Sequence, residues 1–186
     1  MKNNIRNLIV SEGYYSGTPA TIVELYDRPG KAWIEDIPTQ AHHAHLLLTG
    51  NDPLKWPDAI DEILHVVNTQ MAFCYVQIIT SMDDVERVDY PVEWLSVRVL
   101  PVDLENETEA LHKHANELIV HVDPTVNLDR VVPLVEPIRN FELVVSFMPT
   151  QPNLKAQALK MVCDFDRHYS NIGVARYVEP IDEGGV

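Results

Sequence analysis

The side chains best suited to chemistry in this chain are its histidines, its cysteines and a few carboxylates near glycine turns. The run AHHAHLLLTG holds His42, His43 and His45. On a strand, alternation sends His43 and His45 to one face and His42 to the other, so at most two could share a metal ion. A third ligand from His65, His112 or His114 is not required by any spacing. Polar residues at the amino-terminal end of a strand fit better, because catalytic groups gather at the opposite ends of barrel strands, and no metal site is assigned. His112, Lys113 and His114 precede the run ELIVHV and read as a loop whose charge would change near pH 6. Nucleophile-elbow, P-loop, zinc-protease and dinucleotide glycine motifs do not occur, so hydrolase, nucleotide-cradling and dehydrogenase readings have no support.

The two cysteines lie in apolar settings, Cys74 in AFCYVQII and Cys163 in LKMVCDF. Both read as small buried side chains in a reducing compartment, with no disulfide between them. An iron-sulfur cluster takes at least about three thiolates from one chain, which this chain lacks, and no cofactor is expected.

These residues need a scaffold. With 186 residues and 21.2 kDa, the chain fits a single domain spanning residues 1–186. It is shorter than the roughly 200 to 250 residues of a complete eightfold barrel. The apolar share of 46% is enough for a real core, and no apolar run reaches the roughly 18 residues of a membrane span. The opening MKNNIRNLIVSEG has no long apolar stretch, so a cytoplasmic location away from membranes is the expectation. A formal charge of −14 repels phosphate backbones and argues against direct nucleic-acid binding. The acids are dispersed, with clusters at Asp83, Asp84, Glu86 and Asp89 and at Asp103, Glu105, Glu107 and Glu109 that read as solvated faces.

Strand-like runs recur along the chain at residues 21–26, 45–49, 72–79, 93–100, 117–122, 141–148 and 171–178. Most are near-continuous Val, Ile, Leu and Phe, as in strands buried on both faces of a parallel sheet. Between them, residues 56–69 place Ile60, Ile63, Leu64 and Val67 on one helical face behind Pro57. A second helix puts Leu154, Ala158, Leu159, Val162 and Cys163 on one stripe, with Asn153 as its cap. Pro133 interrupts a weaker helix, NLDRVVPLVEPI, and SMDDVERVDY has room for about one turn. A first crossover helix belongs in residues 27–41, but DRPGKAWIEDIPTQA carries two prolines and a glycine, so that helix is expected to be reduced or lost.

Several stretches, in order, resemble the 7-carboxy-7-deazaguanine synthases of the radical S-adenosylmethionine superfamily, over most of the chain. EGYYSGTPATIVEL resembles the opening strand-turn-strand, and LLLTGNDPL resembles the strand and turn T-G-G-E-P-L. VEWLSVRVLP looks like the strand leading to the S-P-K element. NELIVHV and FELVVSFMPTQPNLKAQAL look like the N-E-L-K strand and the late strand-loop-helix. The departures are as telling. Where the superfamily places its C-x3-C-x2-C cluster loop, this chain has YDRPGKAWIEDIPTQ, without cysteine. Glu24 stands at the arginine position of the preceding strand, a charge reversal that would repel an acidic substrate. Gly-Gly-Glu has become Gly50, Asn51 and Asp52, which withdraws the carboxylate by one methylene. The S-P-K element reads Arg98, Val99 and Leu100, and the late histidine position is Ala175.

What the resemblance implies is an α/β fold, a partial (β/α) barrel of about six parallel strands, without radical chemistry. Glu12 with Gly13 and Thr49 with Gly50 match family substrate contacts. With Glu24, Asn51 and Asp52 they form either a residual purine-like or pterin-like pocket or ordinary turn and strand-end residues. The family forms homodimers, so a self-associating pseudoenzyme of the queuosine and deazapurine pathway, acting as scaffold, regulator or inhibitor, is the implied function. Tyr14, Trp33, Ile34 and Trp56 are its candidate contacts with a second copy or another protein, or else core residues. The alternatives are a protein that binds a deazapurine or pterin, and an enzyme using Glu12, Glu24, Asp27 and Asp52 as acid and base in the old pocket.

Overall fold

A computed structural model describes residues 2–10, 17–50, 53–71, 74–87, 93–106, 109–138 and 143–179. The chain gathers into two compact units, one of Met1–Val10 with Gly17–Leu95 and one containing Ser96–Val186. The protein is mixed α/β and mostly parallel, with eight strands among the described residues.

In the first unit, β1 (Asn4–Ile9) and β2 (Pro19–Leu25) form an antiparallel hairpin. Helix α1 (Lys31–Gln40) leads to β3 (His45–Gly50), and α2 (Pro57–Gln70) leads to β4 (Tyr75–Ser81). β2, β3 and β4 pair in parallel and in the order of the chain. The register lines up Val23 with Leu48 and Ile78 on one face of these strands, next to Leu25, Leu46 and Val76.

The expectation that the first crossover helix is reduced or lost is wrong, because α1 runs from Lys31 to Gln40. Pro29 and Gly30 stand ahead of its first turn, where neither harms it, and only Pro38 lies inside. Pro38 removes the bond to the carbonyl four residues back, at a cost of about 3 kcal/mol. Ile34 and Ile37, both fully buried, return about 1.5 to 3 kcal/mol each. Ala41 N–H then closes the last turn on the Ile37 carbonyl at 2.9 Å.

The second unit holds β5 from Ser96 onward (strand Trp94–Val99), α3 (Glu109–His114), β6 (Glu117–Val122), α4 (Leu128–Val135), β7 (Val144–Pro149), α5 (Lys155–Tyr169) and β8 (Val174–Tyr177). β5 to β8 are all parallel and again follow chain order. Phe147 on β7 meets Phe165 on α5 edge to face at 6.1 Å, which fixes the helix-covered side as the row Val99, Val120, Phe147 and Tyr177.

All seven anticipated strands form, and β1 is an eighth: where about six parallel strands were expected, the first unit has three parallel strands with β1 antiparallel and the second has four parallel strands. The face of α5 also differs. Ala158, Met161 and Phe165 are its buried residues, behind a buried Leu154 at the N-cap, while Leu159 and Cys163 are exposed. Two stripes compete on that helix, and the one carrying the larger Met161 and Phe165 wins the core. His112, Lys113 and His114 lie in α3 rather than in a loop. Asp84 is buried and accepts from Ser81 Oγ at 2.8 Å, so it pins a 3-10 turn at Met82–Arg87 rather than facing solvent.

Candidate functional site

One strand face of each unit carries a polar row, Glu24 with Thr49 in the first and Ser96 with Glu117 in the second, while Thr21 and Thr80 lie on the other face of the first. In the first unit the register places Asn4 beside Glu24 and Glu24 beside Thr49, one row at the carboxyl ends of β2 and β3. Carboxyl ends of parallel strands are where α/β proteins hold ligands. Glu24 is 9% exposed and Thr49 8%. The Glu24 carboxylate is already answered from within the chain: Arg6 on β1 forms an ion pair with it, and Asn4 Nδ2 donates to it at 3.4 Å.

Gly50 follows Thr49 with a φ of +129°, and a Cβ there would overlap the Leu25 backbone. The position therefore requires glycine for two independent reasons, conformation and space. Of the other anticipated pocket residues, Glu12, Gly13, Asn51 and Asp52 lie outside the described residues, as does Tyr14 among the anticipated contact residues. Asp27 is exposed, its backbone N–H held by Asn3 Oδ1 at 2.8 Å. Ile34 is only 1% exposed and packs in the core of its own unit. Trp33 and Trp56 are half-buried, and the Lys55 ammonium sits 5.9 Å from the Trp56 ring centre.

The histidines do not share a strand. Only His45 is in β3, with His42 and His43 in the preceding connection. His45 is half-buried, approaches Thr18 Oγ1 at 3.4 Å through Nδ1 and stands edge-on to Tyr75 at 5.9 Å. Burial holds its pKa below the ordinary 6.5, against a hydrogen bond that the ring donates to Gln77 and that favours the charged form. No group of three or more metal-ligating side chains occurs among the described residues.

The second unit contains a polar node absent from the sequence reading. Glu117 opens β6 fully buried and accepts from Ser96 Oγ on β5 at 2.6 Å and from Ser146 Oγ on β7. Arg98, Ser146 and Arg176 occupy the next row of the same face. The available signal was one polar residue in each of three otherwise apolar strands, WLSV, ELIV and VVSF. Because Glu117 sits at the amino-terminal end of its strand, its place is that of a structural tie rather than a reacting group.

The two cysteines fall in different units. Cys74 precedes β4 in the first unit, half-buried, and burial with the nearby Glu93 pushes its thiol up to about 11. Cys163 belongs to the second unit, exposed on α5. A cleft of about 380 Å³ in the second unit is lined by Leu104, Glu105, Asp129, Arg130, Pro133 and Leu134. Arg130 there is held by Pro101 O at 2.9 Å and Thr125 Oγ1 at 3.3 Å. No helix among the described residues is long and apolar enough to cross a membrane. No protein-family model, no curated protein and no solved structure matches the chain.

Proposed function

We propose that this chain is a catalytically inactive relative of the 7-carboxy-7-deazaguanine synthases, built as a partial (β/α) barrel, that works by binding a protein chain. The barrel reading is supported by parallel strands that follow chain order within each unit and, in the second, by α5 packed through Phe165 on Phe147 of the apolar face. The observation that carries the functional reading is the Arg6–Glu24 pair. At the position where the resemblance implies an arginine for an acidic substrate, this chain has a carboxylate neutralised by its own extra strand. A substrate carboxylate arriving there would find Arg6 already committed to Glu24. The thiol of Cys74, held protonated to about 11, is also a poor start for a metal-thiolate site.

The test is anaerobic reconstitution with iron and sulfide, read by visible absorbance and by S-adenosylmethionine cleavage, beside thermal melts with 7-deazaguanine and a pterin. A colourless protein, no cleavage and unchanged melting are expected. A brown protein that cleaves S-adenosylmethionine overturns the reading. A ligand-induced rise of several degrees transfers it to the small-molecule alternative, in which Thr49 and Gly50 still line a purine-like pocket.

A further inference from the structure

The cleft of the second unit lies where the 3-10 turn Asp103–Glu105, which follows β5, meets the first turns of α4. Buried Leu104 and Leu134 line it together with Pro133. Its polar groups are weighted towards acceptors. Asp129 is exposed and makes no hydrogen bond or ion pair with any described residue. Pro133 has no N–H to give the Asp129 carbonyl four residues back, so that carbonyl lacks its helical donor. Glu105 is exposed and reaches Arg130 only at 3.6 Å. Arg130 itself is engaged: Nη2 donates to Pro101 O at 2.9 Å, and Nη1 donates to Thr125 Oγ1 at 3.3 Å and to Thr125 O at 3.4 Å. Two carboxylates thus stand beside one committed guanidinium, in a chain of net charge −14. The same Arg130 bond fastens the turn around Pro101 to α4, and Asp103 Oδ2 accepts the Leu100 N–H at 2.8 Å. On that fastened turn Leu100 is 45% exposed and Val102 76%.

Resting on the protein-binding reading above, we infer that this cleft docks a segment of a partner protein in which a Lys or Arg adjoins large apolar residues. The cation answers the Glu105 and Asp129 carboxylates and the Asp129 carbonyl, all acceptors that the chain leaves open or weakly paired. The adjoining apolar side chains cover Leu104 inside the cleft and Val102 and Leu100 beside it. An acidic segment is disfavoured, because the one guanidinium of the cleft is already bonded and the carboxylates would repel it. The volume of about 380 Å³ is near the lower end of ligand pockets, roughly 300 to 1,000 Å³. It has room for a side chain or two, and the exposed apolar pair continues the contact along a peptide. Because the turn is tied down before any partner arrives, docking orders little of this chain.

The experiment screens an array of random octapeptides against the full chain, with folding verified by circular dichroism and affinity for the retained peptides read by fluorescence anisotropy. The retained peptides should be enriched in Lys or Arg next to Leu, Ile, Val or Phe. Glu105→Gln combined with Asp129→Asn should weaken their binding about tenfold, and Val102→Ser about fivefold. Glu35→Gln combined with Asp61→Asn removes the same charge from exposed sites of the first unit and should leave affinity unchanged. No retained peptide, an acidic or unbiased selection, indifference to the cleft variants, or equal weakening by both charge pairs would each overturn the inference. Spermidine that binds as tightly as the peptides and displaces them would overturn it as well, by assigning the cleft to a small polycation. Iron loading, S-adenosylmethionine cleavage and melts with 7-deazaguanine do not read these residues, so failure of the cleft and failure of the non-catalytic reading are distinguishable.

Discussion

Ser96 and Glu117 are joined across β5 and β6 by a 2.6 Å hydrogen bond with Glu117 fully buried, and Ser146 closes the node from β7. Two strand hydroxyls donate to this deeply buried carboxyl group and satisfy it there. Glu117→Ala should cost about 3 kcal/mol or more, since it opens a cavity and strands two buried hydroxyls. Glu117→Gln keeps the volume and one acceptor and should cost about half as much. Urea melts measure both. An alanine variant within about 0.5 kcal/mol of wild type would mean the node does not hold the strands together.

The seven parallel strands were readable because each is a dense apolar run, which two-sided burial demands. β1 escaped because NIRNLI mixes polar and apolar letters, as an edge strand with a half-exposed surface can. α1 was hidden by Pro38, whose local penalty is outweighed by burial of Ile34 and Ile37, a tertiary effect. The anomaly at Glu24 stood out in the sequence. Its partner did not, because the Arg6 contact exists only once β1 folds onto β2. Glu117 was missed for a related reason: three isolated polar residues on three strands become a node only through the register.

His45 gives the fold a pH dependence in a definite direction. Its folded pKa lies below the ordinary 6.5 because burial disfavours the imidazolium, so the unfolded chain binds the proton more readily. The contribution is present above pH 6.5 and is lost as pH falls below that value. Asp36, Asp123 and Asp164, held below their usual 3.8 by hydrogen bonds led by Thr39, Thr125 and Lys160 respectively, act only in a more acidic window. Urea melts from about pH 7.5 down to about pH 5 should show wild type losing more stability than His45→Gln. Equal losses would place the titrating group elsewhere.

The two thiols should separate by rate. Cys163 is exposed on α5 and should react quickly with an uncharged alkylating reagent. Cys74 is half-buried with its pKa moved from 9.0 to about 11 by burial and by Glu93. Two units of pKa lower the thiolate fraction by about 100-fold at slightly alkaline pH, and limited access slows attack further. Iodoacetamide followed by mass spectrometry of the intact chain should give one fast and one slow addition, the fast one abolished by Cys163→Ser. Glu93→Gln removes the repulsive charge but not the burial, so it should speed Cys74 only in part. Full acceleration on that change would make the carboxylate, not burial, the main control of the thiol, reversing the order of causes that the site's packing implies.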